Sequence, residues 1–551
     1  MTAGVNPAIS QTWQWAKSAG GVAEDVTKNL AIDSSGNSYI TGYFWSPTII
    51  IGSTTLINAD NSGVTADMFL AKYDANGNVL WAKRAGGSDH DRAMSVAVDA
   101  SGSSYVTGDF SSDTIIFGST ILTLTNPNNM NITYDMFLAK YDSNGNVLWA
   151  KNAAGAGLDA GNSVKVDASG NGYLAGEFQS YTLTFGTTTL MNTNGGGGFD
   201  TFLAKYDANG NVLWAKRAMG ASDDRATSVA VDAFGNTYLT GEFRNAAITF
   251  GSATLSNIAY GDIFLAKYDS NGNVLWAKSA GGSVNDWANF VAVDTSGNSY
   301  VAGWFDSPTL IFGSTTLTNG GNDDMFLAKY DVNGNVLWAK GNGGASRDLA
   351  KSVAVDMLGN SYLTGGFQSS ILTFGSTTLT NNGSSDLFLA KYDANGNVLW
   401  AKSVGSTDAD PAECVEVDAS GNLYLTGAFR SPTLTFGSIT LNNTSAGAYD
   451  LFLSKMNGPE TGTHYIDGKI TPHSLYPNPF SMQAVLQSDI PFCNATLSAY
   501  NSLGQIVIQI DNLFGEKIIF YRNNLPSGLY FIRITQDGKT FSIDKLVITD
   551  N

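Results

Sequence analysis

Apolar and polar residues alternate along this chain in short runs, and the runs recur. Residues 79–141 show one full unit. Val79–Ala85 is apolar and ends at Gly86-Gly87. Ser95–Asp99 alternates and is turned by Ala-Ser-Gly, and Ser104–Phe110 alternates again. Thr114–Phe117 and Ile121–Thr125 flank a Gly118-Ser119 pair, and Met136–Tyr141 leads through Asp-Ser-Asn-Gly into the next apolar run at Val147. Period-two patterning, β-branched and aromatic residues, and Gly/Asn/Asp punctuation predict strands joined by hairpins. No ten-residue window sustains a helical period. Each unit offers four main strands, A (Ser-Val-Ala-Val-Asp), B (Ser-Tyr-Leu-Thr-Gly-x-Phe), C (Phe-Leu-Ala-Lys-Tyr-Asp) and D (Val-Leu-Trp-Ala-Lys). A small hairpin is inserted between B and C. Its Gly-Ser loop predicts a type II′ turn, because Gly tolerates the positive φ required there.

The D motif or a near copy occurs seven times, at Trp15, Trp81, Trp149, Trp214, Trp276, Trp338 and Trp400. The C motif also occurs seven times, starting at Asp67, Asp135, Asp200, Asp262, Asp324, Asp386 and Asp450. Self-similarity at this period means an array or a closed ring. Four-stranded units repeated radially are propeller blades, so seven blades are expected. The first element, Trp13–Ser18, is a D strand, and the last repeat stops after its C strand, Asp450–Met456. Pairing the first strand into the last blade would close the ring and remove two exposed edges. An open stack would need polar capping repeats, and none is legible.

The A–B hairpin carries Asp-x-x-Gly-Asn-x-Tyr, as in Asp232-Ala-Phe-Gly-Asn-Thr-Tyr238 and Asp418-Ala-Ser-Gly-Asn-Leu-Tyr424, with Ser replacing Asn in Asp99-Ala-Ser-Gly-Ser-Ser-Tyr105. With the C and D motifs, this resembles NHL-type and, more closely, SBBP-type β-propeller repeats, over roughly residues 11–458. The resemblance implies the fold and says little about function. Beyond Gly458 the composition changes. A linker, 459–469, leads to Ser474-Leu-Tyr-Pro-Asn-Pro-Phe480, Tyr500-Asn-Ser-Leu-Gly-Gln-Ile506, Leu525-Pro-Ser-Gly-Leu-Tyr-Phe-Ile-Arg533 and Lys545-Leu-Val-Ile548. Alternation between these motifs predicts about seven short strands, enough for a small Ig-like β-sandwich over 470–551. In this order and at this end, the motifs resemble the type A C-terminal sorting domain of Bacteroidota type IX secretion substrates. That resemblance implies export, recognition of residues 470–551 by the outer-membrane translocon, and a secreted or cell-surface location. It also implies that the sorting domain is usually removed. The opening residues, Met1–Pro7, lack the basic and apolar regions of a signal peptide, so either a mature or trimmed N-terminus or a gene model that starts short is expected. The expected class is all-β: a seven-bladed propeller closed by its N-terminal strand, then a small sandwich.

Charge changes this picture less than its size suggests. The formal net charge is −18, but 27 of 48 carboxylates sit at four fixed repeat positions, where Asp bonds nearby backbone N–H groups. An acidic chain does argue against nucleic-acid partners. No run of 18 apolar residues predicts a transmembrane helix. Cys414 and Cys493 lie in different domains and lack metal-ligand spacing.

Chemistry is sparse. Asp-x-Asn-Gly-Asn, as in Asp74–Asn78, starts like a calcium loop but runs into a strand without further ligands, and Asn-Gly reads as a hairpin turn. His90, His464 and His473 do not cluster. No catalytic triad order, phosphate loop, cofactor motif or metal site is legible. What differs between repeats falls on one face. Asp25, Asp91, Asp159, Asp224, Asp286, Asp348 and Asp410 precede strand A and are expected near the channel mouth. There they either bond their own loops or form a negative funnel. The variable position of Thr-Gly-x-Phe holds Tyr43, Asp109, Glu177, Glu242, Trp304, Gly366 and Ala428. Trp45, Trp287 and Trp304 map to the same face, where aromatics beside carboxylates suit sugar or protein contacts. The expected function is non-catalytic binding of a glycan or protein through Tyr43, Trp45, Asp109, Glu177, Glu242, Trp287 and Trp304. Two alternatives are a polysaccharide-acting enzyme using Asp109, Glu177 or Glu242, and a structural surface-layer module.

Overall fold

A computed structural model of the chain describes residues 11–60, 62–125, 133–153, 155–192, 195–244, 246–445, 447–458, 463–466, 469–501, 504–536 and 539–550. All regular structure in these residues is β. No helix is long and apolar enough to cross a membrane. The chain divides into two compact units, one spanning Thr12–Met456 and one holding the chain from Asn457 onward.

The first unit contains seven antiparallel sheets of four main strands. The first sheet pairs Asp25–Ile32 (A), Ser38–Phe44 (B), Asp67–Tyr73 (C) and Val79–Ala85 (D) in that order, and the next five repeat it. The sixth also carries a two-residue strand, Ala409–Asp410, parallel to its C strand. The seventh takes A, B and C from Ala412–Val417, Leu423–Phe429 and Asp450–Met456, and its outer strand from Trp13–Ala19. Trp15 opposes Lys455 and Ala19 opposes Leu451. In every sheet the C strand is buried along its whole length. The D strands are only partly buried, so burial on both faces ends at the sheet's outer strand. Each inserted hairpin forms its own two-stranded sheet. In the second, Phe117 opposes Thr120, and Gly118 takes φ +57° while Ser119 keeps an ordinary negative φ, as a II′ turn requires.

Strand A is longer than its sequence pattern suggests. The alternation places its start at Ser95, yet the strand begins at Asp91. A bulge between Ala93 and Ser95 shifts the register, so the period-two signal breaks while pairing continues. The same bulge occurs in all seven sheets and leaves Lys28, Met94, Asn162, Thr227, Asn289, Lys351 and Glu413 as the extra residue.

Neighbouring sheets are joined by a repeated seam. Tyr39 Oη donates to the Gly102 carbonyl of the next sheet (3.0 Å), and Trp81 Nε1 donates to that of Ser143 (3.1 Å). Lys72 lies over the Tyr39 ring, 4.8 Å from its centroid, and 3.8 Å from Asp33. Closer to the A strands, the Val164 amide donates to Ser95 Oγ (3.1 Å) and that of Val229 to Ser163 Oγ (3.2 Å). The seventh sheet meets the first through the same contacts. Tyr424 Oη donates to Gly36 (3.0 Å), and Trp15 Nε1 and Lys455 Nζ donate to Ala75 (3.1 and 3.2 Å). Thr27 and Thr426 hydroxyls meet at 2.8 Å. Cys414 stands where Ser95 stands in the second sheet. It is buried and free, and burial pushes its thiol up to about 12.

Among the described residues the C-terminal unit has six strands rather than about seven short ones: Thr463–Ile466, Lys469–Tyr476, Gln483–Tyr500, Ile506–Tyr521, Gly528–Gln536 and Lys539–Ile548. Register shifts between Gln487 and Leu497 let the long third strand change partners without a turn. The alternation therefore runs on where the sequence pattern suggests a break. Phe480, Leu486, Leu497, Phe520, Ile532 and Leu546 fill its core. The side chains of His464, His473 and Cys493 lie outside the described residues.

Trp15 and Trp400 compare the seam with simple packing, since Trp15 donates across the sheet 7–sheet 1 seam and Trp400 faces a sheet whose outer strand, Trp13–Ala19, does not follow its C strand in the chain. Trp15→Ala is expected to cost about 3–5 kcal/mol, as for a buried aromatic truncation, and Trp400→Ala less. Urea midpoints of the two variants check this.

Candidate functional site

The seven aspartates that open strand A do not line an open mouth. All are fully buried. Asp25 accepts from the Gly21 amide (2.7 Å) and Ser46 Oγ (2.8 Å). Asp91 accepts from Gly87 and Ser112, Asp348 from Gly344 and Ser369, and Asp410 from Ser406 and Ser431. Asp159 and Asp286 accept from Ser180 and Ser307, and Asp224 is buried at the same position. These carboxylates tie loop to strand, and no funnel of exposed charge is built from them. Burial is the first cause that pushes Asp25 and Asp286 up to about 7, and Asp159 to about 6. The aspartates that open strand C stand next to them: Asp450 acts on Asp25, Asp67 on Asp91 and Asp262 on Asp286, each raising its neighbour further.

The Asp-x-Asn-Gly-Asn loops are likewise closed on themselves. Asp74 Oδ1 accepts from the Asn76 and Asn78 amides (2.9 and 2.8 Å) and Oδ2 from the Asn78 side chain (2.9 Å). A carboxylate saturated this way is a turn device.

The variable B positions face the residue that follows each strand-A aspartate. Arg92 opposes Asp109, Arg225 opposes Glu242, and Trp287 opposes Trp304. Sequence reasoning found the carboxylates and missed these arginines; cross-strand register was the signal that names them. Arg92 grips Asp109 with Nε (3.0 Å) and Nη2 (2.8 Å). Arg225 stands 3.7 Å from Glu177, and Arg244 stands 3.4 Å from Glu242. Burial raises Asp109 and pushes Glu177 and Glu242 up to about 7, with the arginines pulling the other way. Three sheets thus carry charge pairs, and each carboxylate already has its cation, although Asp109 still raises Glu177 further.

The aromatic residues are also partnered. Trp287 and Trp304 stack at 6.1 Å with planes 5° apart. Arg244 lies 5.9 Å from the first ring and Arg347 5.9 Å from the second. Arg347 itself pairs with Asp323 at 2.6 Å. Each ring thus has a parallel aromatic neighbour and a cation within cation–π range. Trp45 packs edge-on against Tyr43 (5.0 Å) and His90 (6.4 Å), and Lys28 lies 5.5 Å from the Tyr43 ring centroid.

The seven bulge residues converge on one place. Lys28, Met94, Asn162, Thr227, Asn289, Lys351 and Glu413 all line a single cavity of about 230 Å³. A strand-A lysine beyond the bulge, Lys165 of the third sheet, reaches Glu416 of the seventh (3.3 Å) and lies 5.6 Å from the Phe290 ring centroid of the fifth. A second cavity, about 220 Å³, shares Lys351 and Glu413 with the first and extends along the sixth and seventh sheets. Glu413 is the first cause that raises Lys28. Repeat comparison could have found these residues, because the position immediately before Ser-Val in strand A changes in nearly every unit.

Comparison with known proteins divides the chain as its structure does. Residues 14–46 match a family model described as a beta-propeller repeat, and residues 474–549 match one described as a secretion system C-terminal sorting domain. An uncharacterized WD repeat-containing protein of Acanthamoeba polyphaga mimivirus is 24% identical over 517 residues, covering 77% of this chain and 36% of that protein. The regulatory protein FlaEY of Caulobacter vibrioides is 26% identical over 319 residues, covering 53% of this chain and 32% of that protein. The chain therefore spans about a third of the length of these curated relatives. Among solved structures, Sqt1 from Chaetomium thermophilum matches with TM-score 0.38 and 9% identity, covering 82% of this chain and all of that one. PorZ, a surface component of the type IX secretion system of Porphyromonas gingivalis, matches with TM-score 0.15 and 10% identity, covering 97% of this chain and all of that one. At these scores the likeness fixes neither blade count nor function.

Two outcomes follow from the buried charges. For Asp25, Asp159 and Asp286 the folded pKa lies above the ordinary value. Folding therefore takes up protons, and the stability they add is complete below about pH 4 and lost as pH rises through about 6–7. Urea midpoints are expected to fall from pH 5 to pH 8. Arg225→Met leaves Glu177 and Glu242 short of a cation. It is expected to cost on the order of 1–3 kcal/mol at pH 8, below the figure for a fully buried pair. The same variant is expected to lose much less at pH 5, where both carboxyls are protonated.

Proposed function

We propose that this chain, which carries β-propeller repeats and a C-terminal sorting domain of the type IX secretion system, is a seven-bladed propeller that binds a glycan or protein ligand outside the cell. The sorting domain directs export to a secreted or cell-surface location. Residues 470–551 are the part the translocon reads, and the Ig-like sandwich is assigned to them. The ring is closed by Trp13–Ala19, and the seam contacts that join the seventh sheet to the first support that reading.

One observation carries the binding role. The positions spent on the seam are nearly invariant among repeats, and those that line the central cavity are not. Lys, Met, Asn, Thr, Asn, Lys and Glu occupy the same bulge in successive sheets. A channel serving only as structural filler has no need of five different residue types at one repeated position. The binding face is assigned to this channel mouth, with Tyr43, Trp45, Asp109, Glu177, Glu242, Trp287 and Trp304 forming its wall. The carboxylates act there as partners of Arg92, Arg225 and Arg244, which makes binding a better reading than catalysis. The enzyme reading rests on the pKa of about 7 at Glu177 and Glu242, in the range a general acid uses at neutral pH.

A glycan array and a pull-down from culture supernatant test the reading, using the full chain, Trp45→Ala and Trp304→Ala. A ligand lost on either substitution, with the melting temperature held, is expected. Binding indifferent to both would remove the site from the mouth. Polysaccharide cleavage abolished by Glu177→Gln would favour the enzyme.

A further inference from the structure

The wall of the proposed mouth has a gap. Sheets one to five place Tyr43, Asp109, Glu177, Glu242 and Trp304 at the variable B position, whereas the sixth places Gly366 there. The second cavity lies over that glycine. A Cβ on Gly366 would come within 3.0 Å of Ser385 Oγ and 3.1 Å of Pro411 Cβ, so any larger residue would close the notch. Leu349 and Pro411 give it apolar sides. Tyr449 and Gln368 stand with them, and Lys351 lies where the notch opens into the central cavity.

Two cations, Arg347 and Lys351, line the notch beside one carboxylate, Glu413. Elsewhere in the mouth Asp109, Glu177 and Glu242 each have an arginine. Glu413 acts on Lys28. Lys351 is half-buried, and among the described residues it has no ion pair. Arg347, at the same cavity, gives Nε to Asp323 and exposes half of its side chain. A cation without a partner in a half-buried slot is an anion site, because removal from water strengthens its pull on an incoming charge. The chain's net charge of −18 works against a polyanion approaching from solvent, so the fit is to a single carboxylate. A volume of about 220 Å³ equals the space of roughly seven waters at about 30 Å³ each, the scale of one pyranose with its substituents. The notch combines apolar sides, an aromatic ring, an amide and a hydroxyl around one cation. Such a mixture suits a sugar, whose faces are apolar and whose edges are hydroxylated.

We infer that the notch over Gly366 binds one terminal acidic sugar of a glycan, a hexuronate or sialate, with its carboxylate on Lys351 and its ring between Leu349, Pro411 and Tyr449. The inference rests on the ligand-binding reading of the mouth and names its ligand class.

The test is calorimetry with the full chain and oligosaccharides ending in glucuronate, galacturonate or sialate. Each is paired with its neutral counterpart, in which the uronate is reduced to a hexose or the sialate is removed. At least one acidic probe is expected to bind, at least ten-fold more tightly than its neutral counterpart and more weakly as salt rises. Lys351→Gln is expected to lose ten-fold or more, and Lys151→Gln, on an outer strand, to lose nothing. Free glucuronate competing equally well would place the recognition in the sugar acid alone. Neutral probes binding as well as acidic ones, or Lys351→Gln binding unchanged, would overturn the inference and leave mouth binding standing. Acidic and neutral probes all failing would overturn the inference, and the array and pull-down above then decide the wider reading separately.

Discussion

Everything in the repeat unit depends on the seam between one sheet and the next. A four-stranded sheet whose C strand is buried on both faces cannot stand alone in water. The neighbouring sheet covers the second face, and polar groups within the contact must then find partners. Tyr39, Lys72, Asp33 and Trp81 solve this together: hydroxyl and indole reach carbonyls of the next sheet, and the lysine sits between ring and carboxylate. The set is repeated almost unchanged, which explains why the D motif and the Asp-to-Tyr hairpin recur so faithfully. Six of the seven seam tryptophans donate across to the next sheet; Trp400 faces the seventh sheet, whose outer strand does not follow its C strand in the chain.

The seam also sorts residues by task. Side chains on one set of strand-A positions lock sheets together, as Ser95 and Ser163 do. Their alternates face the channel and are free to vary. The bulge keeps both sets in place, since it adds one residue without breaking the ladder. Lys165 meeting Glu416 and Phe290 brings the third, fifth and seventh sheets together within one side chain's reach. This contact supports the proposed closed ring.

The strands, the seven units, the hairpin turns and the exported C-terminal unit were legible because each leaves a periodic or motif-level mark. The site was legible only in part. Glu177 and Glu242 stood out as variable acids, but their arginines lie on another strand and are named only by register. The aspartates from Asp25 to Asp410 read as an acidic rim because the bulge hid four residues of strand A. With those residues restored to the strand, all seven aspartates are buried, and six accept from neighbouring loops. Trp287 and Trp304 looked like open platforms, since stacking across strands and cation contacts from neighbouring sheets leave no local signature. The notch was invisible for a related reason: a single Gly366 matters only when four neighbouring walls are known.

Closure by the first strand is the claim on which the channel, the mouth and the notch all rest. Hydrogen exchange read by mass spectrometry, on the full chain and on one beginning at Gly20, tests it most directly. Residues 13–19 should exchange as slowly as Val79–Ala85, and their removal should deprotect Asp450–Met456. Exchange of residues 13–19 at loop rates, with Asp450–Met456 unchanged on truncation, would contradict the account.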